Sequence, residues 1–121
     1  MSGYKELEIY RIAFNLSIKV HHTSMKLPKF ELFEQGSQIR RSSKSVKDTI
    51  SEGYGRRKYK AEYIKYLIYA QASCDETLNH LETLVLLYPD IQDFSDLLPE
   101  YNILGKKINS FISWVETNWN T

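Results

Sequence analysis

The chain has 121 residues, a formal net charge of +1, 42% hydrophobic residues and 26% charged residues. We expect residues 1–121 to form one domain with a continuous core, and the composition does not suggest a disordered or fibrous chain. The single cysteine, Cys74, excludes an internal disulfide. Because there is no N-terminal secretion signal and no apolar run of about 20 residues, we expect a cytoplasmic protein without a membrane span.

The first segment has the periodicity of a helix. Two apolar stripes run along it at spacings of three, four or seven residues. They are Leu7, Tyr10, Phe14, Ile18 and Met25 for one stripe, and Ile9, Ala13, Leu16, Val20 and Leu27 for the other. Pro28 disfavours a continuing helix, because proline crowds the preceding residue and has no amide to donate. The pattern predicts a first helix over roughly residues 5–26.

The next two helices are separated by a turn that contains two glycines. A second helix over roughly residues 33–53 is loosened or ended by Gly53 and Gly55. A third helix over roughly residues 59–87 is predicted to be the longest, at about 44 Å. Its start is weakly marked, because no Ser, Thr, Asp or Asn stands before Tyr59 to cap the first amides.

A fourth helix follows an acidic connection. We expect Asp93 or Ser95 to cap it and Pro99 to lie in its first turn, which predicts a helix over roughly residues 96–118. Its inward seam steps by four and three residues through Leu97, Tyr101, Leu104, Ile108, Phe111 and Val115. Because no segment alternates with a period of two, we predict an all-α fold, an antiparallel up-down-up-down four-helix bundle.

The residues give no support for catalysis, a metal, a cofactor or a small-molecule substrate. The chain has no Glu-x-x-His motif of the kind that holds metals in bundles, and the adjacent His21 and His22 point about 100° apart on a helix. Cys74 lies on an apolar stripe without a basic neighbour in its turn, so we expect it to pack rather than to react. We therefore expect a non-enzymatic protein.

The charges are distributed unevenly along the chain. Residues 40–65 contain nine basic and three acidic residues, a net of +6, whereas residues 75–116 contain two basic and eight acidic residues, a net of −6. A dense group of cations lies on the second helix and the turn that follows: Arg40, Arg41, Lys44, Lys47, Arg56, Arg57, Lys58 and Lys60. Arg40, Lys44 and Lys47 are predicted to share a helical face with no acid on it. Such a patch neutralises the phosphates of nucleic acids, whereas most charge runs are solvated helix faces.

Four tyrosines interleave with the end of this basic group and the start of the third helix. They are Tyr59, Tyr63, Tyr66 and Tyr69. Their rings could stack on unpaired bases, or they could belong to the core or to an interface. With the neighbouring Ile and Leu residues they make the helix apolar over more than the roughly 100° that one bundle core needs. This surplus predicts self-association, with Tyr59, Tyr63 and Tyr66 as candidate interface residues.

Several short blocks of the chain resemble a known family. They are Leu7-Glu8-Ile9-Tyr10, Leu27-Pro28, Ser37-Gln38-Ile39-Arg40-Arg41-Ser42, Ile50-Ser51-Glu52-Gly53-Tyr54-Gly55-Arg56 and Glu62-Tyr63-Ile64-Lys65-Tyr66-Leu67. Together they resemble the four-helix-bundle proteins of 23S rRNA intervening sequences. The resemblance implies a homo-oligomer, commonly a ring of five bundles, and no established activity. It also implies that some relatives are encoded within rRNA intervening sequences or partner reverse transcriptases.

Two functions are open at this point. In the first, an oligomeric module binds RNA or a nucleoprotein partner through the eight cations. In the second, a scaffold oligomer has no nucleic-acid role, and Arg41 and Arg56 pair with carboxylates of the same or a neighbouring subunit. We expect Arg41 to pair with Asp48, which lies seven residues further along the helix.

Overall fold

A computed structural model describes residues 3–120, and this part of the chain contains helices and no strand. In chain order they are a 3-10 turn at Tyr4–Glu6 and the helices α1 (Glu8–Ser24), α2 (Lys29–Leu32), α3 (Gln35–Gly55), α4 (Lys60–Leu87) and α5 (Gln92–Asn118). The predicted all-α class is confirmed, with four long helices and one short helix, α2, that the sequence pattern did not predict.

The four long helices form an antiparallel ring. Each packs against the next along the chain, and α5 returns to pack against α1. Two ion pairs show the direction of this last contact, because Glu8 pairs with Lys107 at 3.2 Å and Lys19 pairs with Glu100 at 3.1 Å. Residue numbers rise along α1 as they fall along α5, so the two helices are antiparallel. The predicted four-helix bundle is confirmed.

One of the two apolar stripes of α1 faces the core, and the other does not. The inward stripe contains Ile9, Ala13, Leu16 and Val20, all of which are buried with Leu27 beyond the helix. The other stripe lies on the outer side of α1, where Phe14, Ile18 and Met25 are exposed. Periodicity alone predicted both stripes without distinguishing them.

Small polar residues bring α3 and α4 together. Thr77 donates to Ser42 Oγ at 2.9 Å, and the hydroxyls of Ser45 and Ser73 are 2.9 Å apart. Both contacts join facing turns of the two helices. Because these side chains are short, the two backbones approach closely, and Gly53 fits directly against the Tyr66 Cβ.

The start of α5 differs from the prediction. The helix begins at Gln92, several residues before the predicted start at residue 96, and neither Asp93 nor Ser95 caps it with a side chain. Pro99 therefore lies inside the helix rather than in its first turn. The early start buries Phe94 in the core, and this burial outweighs the weak capping signal.

A buried carboxylate holds the connection between α1 and α3. The Glu31 side chain on α2 accepts hydrogen bonds from the Tyr88 hydroxyl at 2.8 Å and from the Gln35 amide at 3.2 Å. The first contact joins α2 to the end of α4, and the second satisfies an amide in the first turn of α3. This end of the bundle is opposite the turn between α3 and α4.

Candidate nucleic-acid interface

Arg40 is turned into the protein rather than toward solvent. Its guanidinium donates to Ser24 Oγ at 2.9 Å and to the Leu32 carbonyl at 2.8 Å. Two of the five N–H donors of this guanidinium are thus used inside the protein, where they join α3 to α1 and to α2. Arg40 therefore differs from the exposed cations of the group, and its assignment to the nucleic-acid-binding residues stays a prediction.

Lys47 and Lys60 also have partners within the chain. The Lys47 ammonium lies 2.7 Å from a carboxylate oxygen of Asp48, and its side chain is largely buried. The Lys60 ammonium donates to the Glu116 carbonyl at 2.6 Å, which joins the start of α4 to the end of α5. The predicted acid-free face of α3 thus contains an acid at Asp48.

Arg41 and Lys44 are exposed and have no ion-pair or hydrogen-bond partner within residues 3–120. The expected pair of Arg41 with Asp48 does not form, because Asp48 pairs with Lys47 and two helical turns separate it from Arg41. Further along the same exposed stripe come Asp48 and Glu52. The outer face of α3 is therefore mixed in charge.

The turn between α3 and α4 presents three consecutive exposed cations. Arg56 pairs with Glu62 at 3.2 Å, and its guanidinium lies 4.7 Å from the centre of the Tyr66 ring. Arg57 and Lys58 have no carboxylate partner among the described residues. We call Arg56, Arg57, Lys58 and the neighbouring Tyr59 the basic turn.

Arg57 is held in place by aromatic contacts. Its guanidinium lies 3.9 Å from the centre of the Tyr54 ring and donates to the Tyr54 carbonyl at 2.8 Å. The Arg57 carbonyl in turn accepts a 2.7 Å hydrogen bond from the indole of Trp119. A stacked guanidinium keeps its charge and loses little further freedom when it binds an anion.

Trp119 was missed by the sequence reasoning. With Arg57 and Lys58 it lines a shallow depression of about 430 Å³ whose other walls are Gly55 and Asn120. The signal was present, because Trp119 follows Val115 by four residues and so continues the inward seam of the last helix.

A family model described as 23S rRNA-intervening sequence protein matches residues 5–110. This chain belongs to the family of 23S rRNA-intervening sequence proteins. No curated protein matches the chain. All of the basic turn lies within the matched range, whereas Trp119 and Asn120 lie beyond it.

The tyrosines of this 23S rRNA-intervening sequence protein have different environments. Tyr59 is 60% exposed, whereas Tyr63 is 1% exposed and contacts the rings of Phe111 and Trp119. Burial raises the pKa of Tyr63 to about 12. A side chain enclosed by its own chain is not available to a partner, so Tyr63 is removed from the predicted interface. Tyr66 is half-buried beside Tyr69.

The apolar surplus of α4 lies one turn beyond the predicted interface residues. Ile68 and Tyr69 are both exposed on the outer side of the helix. Sequence reasoning detected the surplus but assigned it partly to Tyr63, because helical period does not distinguish the inward side of a stripe from its edge. Tyr59 and Tyr66 remain interface predictions.

The cysteine and two of the histidines that the sequence singled out lie in different environments in this family member. Residues 3–120 contain no group of His, Cys, Asp and Glu side chains arranged to hold a metal ion. Cys74 is fully buried, and burial raises the pKa of its thiol to about 12. His21 and His22 are both exposed with their rings at right angles.

Within residues 3–120, no helix has both the length and the hydropathy of a membrane span.

Proposed function

We propose that this family member is a non-enzymatic, self-associating binding module of the cytoplasm that holds single-stranded RNA at its basic turn. The supporting observation is the row of three exposed cations, Arg56, Arg57 and Lys58, directly beside the exposed ring of Tyr59. Assembly into a homo-oligomer, of five copies as in the family resemblance, belongs to the same proposal.

The chemistry of the basic turn suits a single strand. Arg57 and Lys58 would neutralise phosphates and release their counterions, which gives affinity without sequence preference. Tyr59 would stack on an unpaired base, a contact that tolerates every base because each has a π face. Arg41 and Lys44 belong to another surface, because Arg41 precedes Arg56 by 15 residues, about 22 Å along a helix.

The test is a salt titration that follows the fluorescence anisotropy of a labelled single-stranded RNA. Affinity should fall with log salt at a slope of about −0.7 per phosphate neutralised. In the double variant Arg57→Gln with Lys58→Gln the slope should become shallower by about 1.4, because two cations are lost. The matched control, Lys29→Gln with Lys106→Gln, removes two exposed cations elsewhere and should leave the slope unchanged.

A second variant tests stacking. Tyr59→Ala should weaken binding by about 1–3 kcal/mol, the usual value for one base stacked on an aromatic ring. Phe30→Ala removes another exposed ring, at the opposite end of the bundle, and should have no effect. No binding at about 50 mM salt, or binding equal in the turn variants and their controls, would refute RNA recognition at the basic turn.

A scaffold without a nucleic-acid role is the second candidate. It is favoured by the Arg56–Glu62 pair and by the mixed charge of the outer face of α3, which together leave fewer free cations than the sequence suggested. In that case the wild-type protein would assemble and would bind no RNA in the same titration. The two functions are therefore separated by one measurement.

A further inference from the structure

The outer side of α1 bears an apolar stripe that nothing in the bundle covers. Phe14 is 42% exposed and Ile18 is 45% exposed, and Met25 follows two turns further on. Tyr10 stands at the start of the stripe, where burial raises its pKa and the nearby Lys47 ammonium lowers it. α1 packs against α3, and Arg40 of α3 donates to Ser24 at the end of α1, so the two helices lie side by side.

The exposed stripe of α3 beside it has an ordered charge pattern. We measure distance along the helix axis from Gly55, the last residue of α3. The acidic residues Glu52 and Asp48 come first, at about 4 and 10 Å from it. The basic residues Lys44 and Arg41 follow, at about 16 and 21 Å. We call this stripe and the apolar stripe of α1 the α1–α3 face.

The outer side of α4 has the reverse order. Here distance along the helix axis is measured from Lys60, the first residue of α4. The basic residue Lys65 lies at about 8 Å, and the exposed Ile68 and Tyr69 follow at about 12 and 14 Å. Asp75 and Glu76, both exposed, lie at about 22 and 24 Å. We call this surface the α4 face.

The two faces match when two bundles stand side by side in the same orientation. Both sets of distances start from the end of the bundle that bears the basic turn, and α1 starts at the same end. Phe14 and Ile18, at about 9 and 15 Å along α1, then meet Ile68 and Tyr69 at the same level. Lys65 faces the acids of α3, while Asp75 and Glu76 face Lys44 and Arg41.

We propose that the α1–α3 face of one copy binds the α4 face of a second copy. This inference rests on the self-association part of the proposed function and is independent of RNA binding at the basic turn. Apolar contact at the centre would supply most of the affinity, and the charges at either side would fix the orientation.

The two faces are different surfaces of one molecule, so the contact is heterologous. Repetition of such a contact closes a ring or continues as a filament, whereas a two-fold dimer needs one surface to match itself. An α4 face paired with another α4 face would also bring opposite charges together. It would leave Phe14, Ile18 and the free cations of α3 without a partner, and for this reason we favour the heterologous contact.

Charge reversal with mixing tests the pairing, with mass measured by light scattering after size-exclusion chromatography at micromolar concentration. One variant is Arg41→Glu with Lys44→Glu, and the other is Asp75→Lys with Glu76→Lys. Each alone should lose most of the wild-type assembly, because like charges then meet. An equimolar mixture should associate again as pairs and larger assemblies in which the two variants alternate, because each reversed face then meets its reversed partner. A closed ring of five cannot alternate two variants, so the readout is a mass above that of the monomer rather than the wild-type mass. Lys29→Glu with Lys106→Glu, an equal change of charge elsewhere, should assemble as wild type.

The apolar part has its own pair of variants. Ile68→Ser should weaken assembly at least tenfold, whereas Ile103→Ser on α5 should not, although the two side chains are 49% and 53% exposed. Circular dichroism and thermal melting establish that each variant is folded. A monomeric wild type, assembly unchanged by either reversal, or a mixture that stays dissociated would each overturn the proposal. A two-fold contact between two α4 faces would give a different pattern. Lys65→Glu would abolish assembly, adding Glu76→Lys to the same chain would restore it, and the reversal of Arg41 and Lys44 on α3 would leave assembly unchanged. None of these results bears on RNA binding by the basic turn.

Discussion

The guanidinium of Arg40 lies 2.9 Å from the hydroxyl of Ser24, the last residue of α1, and so ties α3 to that helix. A cation that sequence alone assigned to a binding surface is thus part of the internal hydrogen-bond network. Its loss should affect stability rather than recognition, because the groups it bonds are internal.

The first prediction concerns this tie. Arg40→Ala should lower the free energy of unfolding by about 1–3 kcal/mol, because the Ser24 hydroxyl and the Leu32 carbonyl lose a charged donor. Urea denaturation measures the change. Lys29→Ala, at an exposed cation in the same connection, should change stability by less than about 0.5 kcal/mol. Equal stability of the two variants would contradict the internal role.

The second prediction uses a pair of glycines near the end of α3. A Cβ on Gly53 would lie 3.0 Å from the Tyr66 Cβ and 3.4 Å from the Tyr63 carbonyl, so Gly53→Ala should force α3 and α4 apart at a cost of about 1–3 kcal/mol. A Cβ on Gly55 would meet nothing within 4 Å. Gly55→Ala should therefore be neutral or stabilising by up to about 1 kcal/mol. Thermal melting of the two variants checks the difference, and the reverse order would refute the close packing.

The third prediction concerns the buried carboxylate on α2. Glu31→Gln should destabilise the fold by about 1–3 kcal/mol, because the Tyr88 hydroxyl and the Gln35 amide lose a charged acceptor. Glu34→Gln, at an exposed position of the same connection, is the control. A double-mutant cycle with Tyr88→Phe should give a coupling energy of at least about 0.5 kcal/mol. Additive effects of the two substitutions would show that the contact contributes nothing.

The fourth prediction is a loss of stability in alkali. Burial raises the pKa of the Cys74 thiol from 9.0 to about 12 and that of the Tyr63 hydroxyl from 10.0 to about 12. The fold favours the protonated forms, so their contribution is complete below the unfolded pKa values and disappears as the pH rises toward 12. Urea denaturation between pH 8 and pH 11 should show falling stability. In Cys74→Ala the fall should be shallower, and an unchanged slope would argue against the shifted thiol.

The helices could be predicted from the sequence because periodicity and prolines report on local geometry. The choice between the two stripes of α1 could not, because both have the spacing of a helix and only the position of α3 and α5 determines which is covered. The sequence predicts the start of α5 four residues later than the structure shows it, for a related reason. A proline in the interior costs stability, and the burial of Phe94 that offsets this cost is a property of the folded core.

The basic group shows where composition stops being informative. A count of cations treats Arg40, Lys47 and Lys58 alike. In the structure, Arg40 bonds a serine and a carbonyl, and Lys47 pairs with Asp48. Of the three, only Lys58 is exposed without a carboxylate partner within residues 3–120. Which cation is free depends on which acceptors the packing brings near. Pairs of residues far apart in the chain determine this, such as Arg40 with Ser24.

The hydroxyl contacts between α3 and α4 have a consequence for how uniquely the bundle is assembled. Apolar side chains of similar size tolerate a helix that slides by a turn, because dispersion has no preferred direction. The contacts of Thr77 with Ser42 and of Ser45 with Ser73 join particular turns of the two helices, so a slip by one turn would break both of them. These contacts favour one register between α3 and α4, the two helices with the most extensive contact in the bundle. The relative height of α3 and α4, and with it the level at which their charges stand, therefore depends in part on these four hydroxyls.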